Sequence, residues 1–117
     1  MNVDPRFTYA RAVASYDPEF EAVLTREIHA AIVKASKVVD ADVLCIRTGE
    51  TIAALVSNVA YMLALAPDAV RSPTALRKTI DDLAKCLRRK AAEAAADPET
   101  RNFRERCFNG SDVGGHA

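Results

Sequence analysis

Residues 49 to 67, GETIAALVSNVAYMLALAP, form the least polar stretch of the chain, and how they are read decides the fold. From Ile52 to Ala66, 13 of 15 residues are apolar. As a helix this run extends about 22 Å at ~1.5 Å per residue, short of the ~30 Å hydrocarbon core of a bilayer. Glu50 and Asp68 bracket it, and Ser57 and Asn58 interrupt it. The sequence therefore predicts a core or interface helix rather than a membrane span. Ile52, Leu55, Val56, Val59, Met62, Leu63 and Ala66 recur at helical spacing along one wide face. The other side carries Ala54, Ser57, Asn58, Tyr61 and Leu65 and no charge. A helix that is apolar on most sides must be covered on most sides. A second copy of the chain achieves this more easily than two amphipathic neighbours do. Ile52, Leu55, Val56, Val59, Met62 and Leu63 are accordingly the expected oligomer interface.

Working outward, proline marks the other helices. Asp4-Pro5, Asp17-Pro18, Ser72-Pro73 and Asp97-Pro98 each place a capping residue before the imino acid best tolerated at the first helical position. Glu19 and Glu99 follow in first turns, where the helix dipole favours a carboxylate. The fifth proline, Pro67, stands where the apolar stretch ends. Residues 5–15 predict a short helix with Phe7, Ala10 and Ala14 on one side. Residues 18–38 place Phe20, Leu24, Ile28, Ala31, Ala35 and Val38 on a stripe, and residues 73–96 do the same with Leu76, Ile80, Leu83, Leu87 and Ala91. Residues 98–108 predict a last short helix carrying Phe103, Cys107 and Phe108, closed by Asn109-Gly110. The tail 111–117 is expected to be disordered.

The boundary around VVDADVLCIRTGET, residues 38–51, admits two readings. In the favoured one, Asp40 and Asp42 end one helix and cap a long helix over about 42–66, with Gly49 allowing close backbone approach. In the other, the earlier helix continues through Val39, Val43 and Ile46 and breaks at Thr48-Gly49. No strand pattern is recognisable, and no internal repeat exceeds the shared cap chemistry. The expected fold is all-α: one helical domain over residues 1–110, a small bundle of three long helices and two short ones that dimerises.

Composition agrees. The 117 residues suit one domain, and the chain contains four Phe, three Tyr and no Trp. Abundant alanine with few aromatics favours closely packed helices over sheet. Lys and Arg number 16 against 16 Asp and Glu, so no global field points to nucleic acid or an anionic membrane. The balance conceals an asymmetry: residues 1–70 hold six bases and nine acids, residues 71–107 ten and six. The first twenty residues lack a basic segment followed by an apolar core, which predicts no secretory signal. Cys45, Cys86 and Cys107 are odd in number and widely spaced, the pattern of reduced thiols in a cytoplasmic protein. The sequon Asn109-Gly110-Ser111 then reads as an accident of a polar turn.

Catalytic chemistry finds little support. The histidines are His29 and His116; Arg26 stands where a Glu-x-x-His metal motif needs its carboxylate, and no Cys-x-x-Cys is present. Cys45 lies in an apolar run, where burial raises a thiol pKa. Cys86 has Lys85 and Arg89 nearby and Cys107 has Arg106, but none has an assignable base. No metal, cofactor or catalytic residue is expected.

Nucleic-acid binding is the main alternative. Arg77, Lys78, Lys85, Arg88 and Arg89, within the basic segment 71–107, can neutralise phosphates. Against this, Asp81–Lys85 and Arg89–Glu93 have the i,i+4 spacing of a solvated charged face. A helix-turn-helix with Gly49 as turn and Thr51–Ala60 as recognition helix would offer no cation to bases. The sequence thus favours a non-enzymatic, homo-oligomeric protein–protein interaction or structural module in the cytoplasm. A nucleic-acid-binding accessory or regulatory protein is the alternative.

Overall fold

The structure, a computed structural model, describes residues 9–12 and 15–109. The cap at Asp4-Pro5, the closing Gly110 and the tail 111–117 lie outside the described residues. The chain divides into two units, residues 1–59 and 60–117, with the division inside a helix.

The first unit contains α1 (Tyr9–Ala12), α2 (Pro18–Ala35), the strands β1 (Lys37–Val38) and β2 (Val43–Leu44), and the start of α3 (Thr48–Leu65). Helix α2 begins where the sequence reading places it. Asp17 is extended, and its carboxylate accepts the Phe20 N–H at 3.1 Å, with Pro18 next in the chain. Glu19 and Glu21 occupy the first turn. Thr25 donates its hydroxyl back to the Glu21 carbonyl at 2.8 Å, and the Tyr16 hydroxyl donates to the Glu21 carboxylate.

The helix ends three residues earlier than the apolar stripe suggests. Ser36 turns both its N–H (3.0 Å) and its hydroxyl (2.7 Å) onto the Ile32 carbonyl, satisfying an acceptor at the end of the helix. The chain then forms a small antiparallel hairpin, with Lys37 opposite Leu44 and Val38 opposite Val43. Cys45 N–H donates to the Ser36 carbonyl at 2.8 Å and lengthens the ladder. Val39 to Asp42 form the four-residue turn, in which the Asp42 N–H reaches the Val38 carbonyl at 3.1 Å. Asp42 has φ of 53°, a left-handed conformation that Asp tolerates better than branched residues do. Both sequence readings of residues 38–51 are corrected here: neither helix runs through the segment. The β-branched Val38, Val39 and Val43 favour extended backbone, and Asp42 supplies the positive φ a turn needs.

Helix α3 starts at Thr48, where the Thr51 N–H bonds the Arg47 carbonyl at 2.9 Å. Gly49 is in its first turn, and a Cβ added there would meet nothing within 4 Å. The close backbone approach expected at Gly49 is therefore not made among the described residues. Gly49 likewise forms no turn between helices, which removes the geometry a helix-turn-helix requires.

In the second unit α3 ends at Leu65, before Pro67, and residues 66–70 turn through Ala69 and Val70 N–H bonds to the Ala66 carbonyl at 3.0 and 3.2 Å. Helix α4 (Pro73–Ala96) has the predicted bounds: the Ser72 hydroxyl accepts the Ala75 N–H at 3.0 Å, and Pro73 follows. Asp97 ends α4 through its own N–H to Ala94 and begins α5 (Pro98–Arg104), accepting from the Thr100 N–H and hydroxyl at 3.0 and 3.1 Å. One π turn, Glu105–Asn109, extends α5, with the Arg106 guanidinium 5.8 Å from the centre of the Phe103 ring.

Most of the described residues are helical, so the all-α expectation holds, with the two-residue strands as the exception. The principal contacts between elements join sequence neighbours: β1 with β2, α4 with α5, and α5 with the π turn. Among the described residues the buried hydrophobic side chain is that of Ala69, and none of α2, α3, α4 or α5 contributes a fully buried residue.

Candidate functional site

Helix α3 holds the expected interface. At 100° per residue, Ile52, Leu55, Val56, Val59, Met62 and Leu63 fall within an arc of about 120°. In the first unit Ile52 and Val56 are each 60% exposed, and Leu55 and Val59 are less so. In the second unit Met62 is exposed and Leu63 half-buried. Tyr61 and Leu65, outside the arc, are also exposed. Every large apolar side chain on this helix except Leu63 therefore keeps more than a third of its surface in water.

The apolar part of α3 is bounded by charges. Arg47 donates from Nε to the Glu50 carboxylate at 3.0 Å, and Arg71 lies 3.5 Å from Asp68. The hydrogen bond from Arg47 is the largest influence holding the Glu50 carboxyl below its ordinary pKa; a backbone hydrogen bond and the guanidinium charge act in the same direction. The same partnership raises Arg47. Within the helix, Asn58 donates to the Ala54 carbonyl at 2.9 Å and so satisfies part of its amide locally. By length and composition α3 is long and apolar enough to cross a membrane: 18 residues with a mean hydropathy of 1.2. Its length is about 27 Å, because the helix includes polar Thr48 to Thr51 before the apolar run begins.

Helix α4 carries the second candidate surface. Arg77, Arg88, Lys85, Lys78 and Arg89 lie in that angular order within about 120°, and all five are exposed. Leu76, Ile80, Leu83 and Leu87 occupy the opposite side. Lys78 pairs with Asp82 at 3.0 Å, and Arg89 reaches Glu93 at 3.9 Å. The Arg89–Glu93 pair matches the sequence reading. The Asp81–Lys85 pair does not form, and Lys78–Asp82 is the pair on that side of the helix. Arg77, Lys85 and Arg88 have no carboxylate partner among the described residues.

The cysteines are dispersed. Cys45 and Cys107 are exposed and Cys86 is half-buried, accepting a 3.6 Å contact from Arg89 Nη2. The burial expected at Cys45 is absent because the hairpin leaves that segment in solvent. Among the described residues no group of three or more His, Cys, Asp or Glu is placed to hold a metal ion. Sequence reasoning overlooked the exposed apolar hairpin, where Val39 is 98% exposed and Val43 and Leu44 are also open. Two valines, a short Asp-containing turn and a third valine were its available signal. No protein-family model, curated protein or solved structure matches this chain.

Proposed function

We propose that this chain is a non-enzymatic helical module that acts in the cytoplasm by self-association, with α3 covered by α3 of a second copy in a small helical bundle. The observation that carries the reading is the exposure of the α3 arc, where Ile52 and Val56 each leave 60% of their surface in water. Full burial of such a side chain stabilises by about 1.5–3 kcal/mol, so the uncovered share is worth roughly 1 kcal/mol per residue. Five such residues on each of two copies give about 10 kcal/mol, against an association cost of about 4–15 kcal/mol. At the low end of that cost about 6 kcal/mol remains, so the dimer is expected at tens of micromolar rather than at picomolar concentration.

A second copy suits this surface because a two-fold interface brings the same patch to itself, and the arc carries no charge to be buried. The charge asymmetry, six bases and nine acids in residues 1–70 against ten and six in 71–107, favours an antiparallel pair. A bilayer suits it less well. Ser57 and Asn58 would lie at mid-depth, and a charge stands at each end of the short apolar run. Absolute mass by size-exclusion chromatography with light scattering, over a dilution series through the micromolar range, tests the reading. Two chains dissociating on dilution are expected; a monomer throughout would end it.

A further inference from the structure

We propose that the cationic arc of α4 is a docking surface for the phosphate backbone of nucleic acid, read without base specificity. Arg77, Lys78, Lys85, Arg88 and Arg89 gather on one side of a 24-residue helix whose other side bears Leu76, Ile80, Leu83 and Leu87. Covering the leucine side with protein leaves the cations pointing outward. Three of them, Arg77, Lys85 and Arg88, have no carboxylate partner among the described residues. The other two hold exposed pairs, and such pairs are weak enough to exchange for phosphate. Three of the five are arginines, whose planar fork fits a phosphate oxygen pair.

The arrangement favours nucleic acid over an anionic lipid surface. A helix lying in a headgroup layer buries its apolar side and keeps its cations level with the lipid phosphates. On α4 the cations are centred opposite the leucines, so burying the leucines in lipid would aim the cations at bulk water. The apolar side also has none of the Trp or Phe that anchors such helices. Asp81, inside the arc, is a standing cost and limits the number of phosphates engaged.

The test is fluorescence anisotropy of the full chain with a labelled 24-base-pair DNA duplex of arbitrary sequence. Three to five neutralised phosphates predict a log–log salt slope of roughly −2.7 to −4.5, so affinity falls about 40- to 500-fold between 50 and 200 mM salt. Arg77→Gln with Lys85→Gln and Arg88→Gln should flatten that slope by about 2.7, with helicity by circular dichroism unchanged. Substituting Glu at the same three positions should abolish binding, and the Gln variant keeps the test decisive if the Glu variant unfolds. No binding at 50 mM salt, or a slope indifferent to the Gln variant, would overturn the proposal. So would binding to vesicles of 30% phosphatidylserine in phosphatidylcholine that is lost on Leu83→Ser and Leu87→Ser while the duplex is ignored.

Discussion

Replacing Val56 by Glu separates an assembly defect from a folding defect, because Val56 is 60% exposed in the single chain. Exposed substitutions commonly stay within about 0.5 kcal/mol, and Glu is a better helix former than Val, so the variant should retain its helicity. In the proposed dimer the same position is covered. Losing burial of the open 60% forfeits about 0.9 kcal/mol per copy from a full-burial value of ~1.5, hence about 1.8 kcal/mol for a two-fold pair. That alone raises the dissociation constant about 20-fold. Desolvating the introduced carboxylate costs several kcal/mol more per copy, which carries the change beyond a thousandfold. Light scattering across a dilution series reads the mass, and circular dichroism reads the helix content. Val39→Glu is the matched control: Val39 is 98% exposed at the hairpin turn, away from the α3 arc, and its substitution should leave the mass curve unchanged. A Val56→Glu chain that is fully helical and dissociates within tenfold of the parent would refute the α3 interface.

Three further outcomes follow from local geometry. Ser72→Ala should destabilise α4 by about 1 kcal/mol, seen as faster amide exchange in its first turn, while Ser72→Asp should preserve the cap. The Glu50 carboxyl is held below its ordinary value by Arg47, so its contribution is fully present above the usual carboxylate pKa of about 4.3. It is lost as pH falls through the lower folded value: amide exchange at the start of α3, corrected for intrinsic pH dependence, should rise there, and Glu50→Gln should remove that step. Asp42→Gly should leave the hairpin intact, whereas Asp42→Val should weaken it by about 1–2 kcal/mol through the cost of positive φ; cross-strand Val38–Val43 proton contacts report the result.

Helix starts were legible because capping is decided within three residues. The Asp17, Ser72 and Asp97 side chains each accept the N–H three positions onward, and a proline fixes the next φ. The bounds of α4 could be read from that chemistry and its period alone. The end of α2 could not. Its apolar stripe continues to Val38, but the chain leaves the helix at Ser36 because pairing with Val43 and Leu44 competes with another helical turn. That pairing depends on a left-handed Asp42, which composition does not announce.

The candidate surfaces divide in the same way. Periodicity alone determined which α3 residues share a face and which cations share a face of α4, since both follow from 3.6 residues per turn. Tertiary structure decided that the chain leaves the α3 arc open to water; that Lys78 rather than Lys85 takes an aspartate was settled by side-chain conformation within α4, since both candidate pairs have i,i+4 spacing. Facing is a property of one helix and is written in its spacing. Burial is a property of groups that meet, and it is settled only when the chain brings those groups together.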